Sequence, residues 1–469
     1  MYLRRRLERS TRLSRSLLYC LVALSPVLTG LARRRTVQAV PEHDEVNSKI
    51  YAPKCYVLVT SLSGWGRYVT REYHDWMLEL INQHDWKEAE PELFGEHVRG
   101  SQTNEDNPVS LKLRHICEGG YPSFLLFVEM YGLIESHPMS TLKSLQQNHA
   151  VKLGFWMNDV QVPALRDMGQ LRRKLFFNIF DVVYGPYTYL LPVFYPSLGA
   201  KNIVWLPNAV ALEMQNVTFQ DNPEYQRIFV PGALDQLWYP VRTWAAQQVG
   251  YQGSIFVTLS HPGYGSHSTH STKGTDFIHG IYQGVIKANV RGAEYASLSG
   301  HFTACLTDLQ RVSAVISKHF ELPASGCLLL TSNQHVHLLH ALGFQDRVNC
   351  ILYDRNDPMK VIRWVLDPAN ANRVHQIRRA GYDLIHSKHL IQHRARHIAQ
   401  DSKSLVFGIT RQDAFIAPNM SRKDSCPCPF VAESMCQCYD RWKLAIQSTQ
   451  AGGEPLVQSE IPPSLKLCS

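Results

Sequence analysis

The chain has 469 residues, 45% hydrophobic and 19% charged, which allows two or three domains and argues against a disordered or membrane-embedded bulk. Its formal charge of +8 resides in residues 1–35, which hold nine Arg and one Glu, so the remainder is balanced. A nucleic-acid binder carries a basic field on its folded part, and that class is disfavoured.

In chain order, Arg4, Arg5, Arg6, Arg9, Arg12 and Arg15 precede an apolar run from Leu17 to Ala32, which Arg33, Arg34 and Arg35 close. The run is short for a span but suits a thin early-secretory membrane. The heavier positive flank comes first, so the expectation is a signal-anchor with a cytoplasmic N-terminus and a lumenal remainder. This is a single-pass type II protein of the Golgi or endoplasmic reticulum. A cleaved signal peptide and an Arg- and Ser-rich transit peptide fit the same stretch. Residues 36–50 read as a stem. Two sequons, Asn216-Val-Thr218 and Asn419-Met-Ser421, suit a lumenal glycoprotein.

Cys55 to Thr60 reads as a strand, followed by a Gly64-Trp65-Gly66 turn and a helix from about Tyr68 to Asn82. This is the opening of a doubly wound α/β domain. Gly64-Trp65-Gly66 lacks the third glycine of a dinucleotide fingerprint, so NAD binding is rejected. The three residues are a tight turn or the floor of an acceptor site. Residues 83–120 read as helix plus loop. Strands follow at Phe124–Val128, Val151–Met157, Asp181–Tyr184 and Asn202–Leu206. Beyond a linker at Asn222-Pro223-Glu224 a second set begins: Arg227–Val230, Ser254–Leu259, His301–Leu306, Cys327–Thr331 and Cys350–Tyr353. Strands alternating with helix-length segments predict mainly parallel sheets. Pro358 opens a helix to Leu366, and one long basic helix is expected from Asn370 to about Ala399. The expected division is residues 1–50 as basic tail, anchor and stem, 51–224 as a first domain, 225–400 as a second with a closing helix, and 401–469 as a tail.

Cys55, Cys305, Cys327 and Cys350 sit in apolar runs and read as small core residues. Cys426, Cys428, Cys436 and Cys438 form a tail cluster that suits disulfides in an oxidising lumen or Zn in a reducing compartment. The C-x-C spacing favours disulfides. His267, His270, His335, His337 and His340 have no Cys or carboxylate partners at ligand spacing and read as solvated or helix-face residues, so no metal site is expected.

The motifs Val230-Pro-Gly-Ala233, Trp238-Tyr-Pro-Val-Arg242, His261-Pro-Gly-Tyr-Gly265, Phe320-Glu-Leu-Pro-Ala-Ser-Gly326, Leu342-Gly-Phe344 and Arg378-Arg-Ala-Gly-Tyr-Asp-Leu-Ile-His386, with His389 and Arg394, come in a characteristic order. Together they resemble the group 1 glycosyltransferases of the spore-maturation (CgeB/YkvP-like) type, over roughly residues 150–400. The resemblance implies a GT-B fold, two Rossmann-like domains facing a cleft. The acceptor (a glycan, protein or lipid) lies on the first domain and the nucleotide-sugar donor on the second. It implies transfer without a metal or other cofactor.

The departing nucleoside diphosphate needs positive charge, for which Arg242 and Lys318 are candidates. Glu321 is the candidate acceptor of ribose hydroxyl bonds, ahead of the Ser325-Gly326 turn. Gly232, Gly263 and Gly265 follow strands and leave room for phosphate near backbone, and Tyr264 between the last two is a further donor-binding candidate. Asp159, just past a strand, and His261 are candidate catalytic groups, with a base needed only if the anomeric centre inverts. Many group 1 transferases carry a second Glu eight residues before the ribose-binding one, and here that position is Ser313. That departure keeps two alternatives open: a non-catalytic nucleotide- or carbohydrate-binding protein, and a sugar-nucleotide epimerase.

Overall fold

Runs of apolar residues too short for helices, buried at most positions, become the central strands of two parallel sheets. The computed structural model describes residues 54–60, 71–89, 108–130, 136–158, 169–191, 203–234, 239–249, 255–259, 281, 283–286, 290–309 and 314–409, and they belong to one compact unit. The apolar run 17–32, Gly64, Trp65, Gly66, Asp159, His261, Gly263, Tyr264, Gly265, Ser313, Asn419 and the tail cysteines lie outside the described residues. Among those described, no helix is long and apolar enough to cross a membrane.

The first domain runs β1 (Tyr56–Val59), α1 (Arg71–His84), β2 (Trp86–Ala89), α2 (Pro108–Ile116), β3 (Phe124–Val128), α3 (Ser136–His149), β4 (Lys152–Trp156), α4 (Gln170–Ile179), β5 (Val182–Gly185) and β6 (Ile203–Trp205). A short helix α5 (Leu212–Gln215) leads to the second. There follow β7 (Tyr225–Val230), α6 (Pro240–Gln248), β8 (Phe256–Leu259), β9 (Val285–Ile286), α7 (Gly292–Gly300), β10 (Phe302–Leu306), α8 (Lys318–Ala324), β11 (Leu328–Ser332), α9 (Val336–Ala341) and β12 (Ile351–Tyr353). Three helices close the chain: α10 (Pro358–Leu366), α11 (Ala371–Lys388) and α12 (Ile391–Phe407).

The strand orders are β2-β1-β3-β4-β5-β6 and β12-β11-β10-β7-β8-β9, with every pairing parallel. Numbered within its own domain, the second sheet reads 3-2-1-4-5-6, the dinucleotide-type doubly wound order. In each sheet the order reverses once, between β1 and β3 in the first and between β7 and β10 in the second. Ligands of open α/β sheets bind outside the carboxyl ends of strands at such reversals.

Alternation along the first sheet's strands divides its residues. Val57, Val59, Leu125, Phe127, Leu153 and Phe155 pack under α2, α3 and α4 through Leu113, Leu142, Leu145, Phe176 and Phe177. Tyr56, Leu58, Phe124, Leu126 and Trp156 pack under α1 and α12 through Trp76, Met77, Leu80, Ile391, Ala395 and Ile398. The last helix thus returns to the first domain.

The single helix expected from Asn370 to Ala399 is therefore two, broken at His389 and Leu390. Nothing in the local sequence breaks it; the cause is tertiary. Val210 N–H donates to His389 O at 3.1 Å and Val210 pairs with Leu390, which is extended at φ −81°, ψ 159°. The buried Arg394 guanidinium holds this corner, donating to Pro207 O (2.7 Å), Asn208 O (2.9 Å), Lys388 O (3.1 Å) and His389 Nδ1 (2.8 Å). Sequence periodicity also misses β2 and β9. β2 is an edge strand with exposed Lys87 and Glu88, and β9 has two residues, so neither shows a buried run.

The core-cysteine expectation needs correction at three positions. Cys55 is bridged to Cys117, with Cα atoms 5.7 Å apart, and Cys305 to Cys327, at 5.8 Å. Cys350 alone of the four is a free buried thiol. The pairing was hidden because bonded and free cysteines share apolar surroundings. Thiol mapping of unreduced, denatured protein should find Cys55, Cys117, Cys305 and Cys327 unreactive and Cys350 reactive. Cys117→Ala should cost about 4 kcal/mol, from the loop entropy that the bridge removes from the unfolded chain.

Candidate functional site

The second sheet's reversal places the ends of β7 and β10 side by side, and the polar residues that follow them converge there. After β7 the chain turns at Pro231 and Gly232, the latter at φ +102°. α6 then starts with Pro240, whose fixed φ suits a first helical turn. That start puts Arg242 on the first turn, facing back over Gly232. A Cβ at Gly232 would lie 2.4 Å from Arg242 Nη1 and 3.6 Å from Lys318 Cε, so only glycine admits both cations at once.

Arg242 is 1% exposed. Its Nε donates to Asp308 Oδ1 at 3.4 Å, its Nη1 to Pro231 O at 3.3 Å, and its guanidinium stacks 3.4 Å from the Tyr239 ring centroid. Asp308 follows β10 and also accepts the Val241 N–H at 3.3 Å. Burial pushes the Asp308 carboxyl above the usual range, against the pull of Arg242 and Arg355. Arg242 Nη2 has no hydrogen-bond partner, nor do the neighbouring buried Thr307 Oγ1 and Arg355 Nε. Buried polar atoms are almost always paired, so such a set at a sheet's switch point marks a place for a polar ligand.

Lys318 opens α8 and forms an ion pair with Glu321 one turn on. Its ammonium lies 4.5 Å from the Tyr295 ring centroid. Burial alone would lower the Lys318 ammonium, but Glu321 and Tyr295 outweigh it and hold it above the ordinary lysine value. Burial pushes the Tyr295 hydroxyl up to about 12. The site thus presents two fixed cations and one partly exposed carboxylate around a glycine.

Of the donor-side candidates, the structure brings Gly232, Arg242, Lys318 and Glu321 together. Ser325 and Gly326 follow one helical turn on, where Ser325 N–H donates to Glu321 O at 3.3 Å. These end α8 on the side of the linker and α11, where Ser325 Oγ donates to Leu322 O at 2.6 Å. Gly326, at φ +80°, packs on Phe219 and its carbonyl accepts from Arg378 Nε at 2.9 Å. A turn after a carboxylate reads the same in sequence whether it borders a ligand or a packed helix.

The first domain meets the second at the end of its last strand. Asn208, after β6, donates to Val315 O at 3.4 Å, and Val315 N–H donates to Tyr189 OH at 3.3 Å. The carboxyl edge of the first sheet therefore meets the segment that leads into α8. At the β1/β3 reversal stands Glu129, a residue that sequence reasoning missed. It is a half-buried carboxylate held at φ +52°, and Asn158 N–H donates to its Oε1 at 3.1 Å. A non-glycine residue in that conformation is uncommon and recurs at functional sites. The available signal was an acidic residue immediately closing an all-apolar strand.

Beneath Lys318, His319 is wholly buried. Its Nδ1 donates to Ile316 O (3.2 Å) and its Nε2 accepts from Thr331 Oγ1 (2.9 Å), the pattern of a neutral ring. Burial lowers its pKa to about 3, with Arg242 adding to the effect; burial and Arg394 likewise hold His389 well below the ordinary value. Both rings take up a proton on unfolding below about pH 6.5, so their contribution is complete above that pH and is lost as the pH falls. The unfolding free energy from urea titrations should therefore drop through this window, by about 1.4 kcal/mol per pH unit for each ring. His319→Gln should remove one share of the slope; an unchanged slope would show that this ring is already charged in the fold.

Residues 264–400 match the family model described as glycosyl transferase-like. No curated protein sequence matches the chain. Among solved structures it is similar to a sucrose-phosphate synthase from Thermosynechococcus elongatus, with 11% identity and a TM-score of 0.49 over 76% of this chain and 100% of that one. For a glycosyltransferase from Rickettsia africae the values are 11% and 0.46, over 76% and 99% of the two chains. For HepE from Anabaena, in complex with UDP and glucose, they are 10% and 0.44, over 75% and 100%. The part of the second domain from β9 to β12, with the helices that follow it up to residue 400, is thus the part that is similar to the glycosyl transferase-like family.

Proposed function

We propose that the chain is a glycosyltransferase that binds a nucleotide-sugar donor at the β7/β10 switch point and passes the sugar to an acceptor on the first domain. The observation that carries this is the pair of fixed cations around Gly232, with Arg242 Nη2 buried and unpartnered where a doubly wound sheet takes its ligand. In this reading Arg242 and Lys318 meet the negative charge that grows on the departing diphosphate, in a setting where burial strengthens the interaction. The α6 N-terminus points to the same place, though Asp308 already takes the Val241 N–H. Glu321 accepts from the ribose hydroxyls, shifting its share of Lys318 to phosphate. No metal is required, because two side-chain cations supply the charge.

On the acceptor side, Glu129 receives the hydrogen bond of the attacking hydroxyl, and Asp159 remains a second carboxylate candidate. Acceptor binding by Gly64, Trp65 and Gly66, and donor contacts by Gly263, Tyr264 and Gly265, belong to the same reading. The CgeB/YkvP-like branch of the group 1 enzymes is its finer form. A lumenal location behind a type II anchor at residues 17–32 is supported by the two disulfide pairs, which persist in oxidising compartments, and by the exposed Asn216 and Thr218 of the first sequon.

Calorimetric titration of the chain with UDP, GDP, the matching nucleosides and pyrophosphate tests the donor site. One nucleoside diphosphate should bind; a folded protein that binds none of them would overturn the proposal. Glu321→Ala should weaken the nucleoside about tenfold or more, as expected for hydrogen bonds to a charged group. If Glu321 served only as a counter-ion to Lys318, the nucleoside would be unaffected and pyrophosphate would bind more tightly. Glu129→Gln should leave donor affinity unchanged and lower transfer to acceptor glycans about a hundredfold. An equal loss of donor affinity would move Glu129 out of the acceptor role.

A further inference from the structure

The end of β4 carries a polar side chain whose bonding is only half used. Glu129 and Asn158 follow β3 and β4, paired strands of the first sheet. They are locked together, Glu129 N–H donating to Trp156 O at 2.9 Å and Asn158 N–H to Glu129 Oε1 at 3.1 Å. The Asn158 amide is oriented by a third residue. Tyr73, on the first turn of α1, is buried with its ring centroid 4.5 Å from that of Trp156. Its hydroxyl donates to Asn158 Oδ1 at 2.6 Å, a length that suits an O–H···O bond and so marks which end of the amide faces it. The start of α1 is itself held by the buried Asp75, which accepts the Leu212 N–H at 2.8 Å. Asn208 Oδ1 lies 3.2 Å from the same hydroxyl, and the Asn208 bond to Val315 O ties the group to the segment entering α8.

With its oxygen taken by Tyr73, Asn158 turns its Nδ2 donors elsewhere. Among the described residues they have no hydrogen-bond partner, and Asn158 is half-buried rather than sealed from solvent. An asparagine that merely ends a strand uses its amide on nearby backbone. This one holds open donors beside a carboxylate in a left-handed conformation. The two groups ask for different things. Glu129 accepts from a hydroxyl, and the amide donates to an oxygen one residue's reach away. Adjacent hydroxyls on a sugar ring satisfy both. A lone serine or threonine hydroxyl would use Glu129 and leave the amide unmet, and a phosphate would be repelled by the carboxylate.

We propose that Asn158 binds the acceptor, donating from Nδ2 to the hydroxyl next to the attacking one, so that the acceptor is a sugar with adjacent free hydroxyls. Tyr73 is the positioning residue that fixes the amide. The inference rests on the transferase reading with Glu129 on the acceptor side. The test uses the whole chain with nucleotide-sugar donors and, as acceptors, alkyl glycosides, their monodeoxy forms and a peptide bearing serine and threonine. The wild-type chain should transfer to a glycoside and not to the peptide. Loss of the neighbouring hydroxyl should raise the acceptor KM about tenfold. Asn158→Ala keeps the backbone bond to Glu129; it should raise the acceptor KM by the same factor, leave the donor KM unchanged, and add nothing on the deoxy glycoside. Tyr73→Phe keeps the ring on Trp156 and should show a smaller rise of the same kind. Thermal melts verify folding, and where Asn158→Ala fails to fold, Tyr73→Phe reads the same split. An unchanged acceptor KM, penalties that add on the deoxy glycoside, or transfer confined to the peptide would overturn the proposal. A chain that passes sugar from donor to water but to no glycoside keeps the transferase reading and overturns this one. A chain that binds no nucleoside diphosphate fails the earlier reading, and the proposal with it.

Discussion

The buried guanidinium of Arg394 is the constraint on which the arrangement of this molecule depends. A charge removed from water must find acceptors for its donors, and here they come from both halves of the fold: Pro207 and Asn208 after β6, Lys388 and His389 at the end of α11. Satisfying it fixes the corner at Leu390 and sends α12 back over α1, where Tyr184 OH meets the buried Asp401. Two sheets that each have their own core are thereby held with the end of β6 against the segment entering α8.

That placement gives the proposed donor site its context. Parallel sheets put every strand's carboxyl end on one edge, and each order reversal leaves a gap there between diverging connections. In the second sheet the gap is lined by Gly232, Arg242, Asp308 and Lys318, whose contacts are mutual rather than separate. Asp308 positions Arg242, Gly232 makes room for it, and Glu321 steadies Lys318. A partly neutralised pair of cations keeps the site stable without a ligand and leaves one guanidinium nitrogen for it. The first sheet answers with a strained Glu129 at its own reversal.

The sequence by itself determined the alternation of strands and helices, the two sets of parallel strands, and the residue types around Gly232, because these follow from short-range patterns. Burial on both faces makes Phe124–Val128 and Cys327–Leu330 apolar throughout, and Pro358 marks a helix start. Composition could not show which cysteines pair, since Cys55 and Cys117 are separated by 62 residues. Nor could it show the break at His389, which Val210 and Arg394 impose from afar, or the packing of Gly326 on Phe219 and Arg378, which depends on what lies beyond α8. The polar edge strand β2 belongs to the same class. Each is a relation between distant residues, and only the folded chain brings its members together.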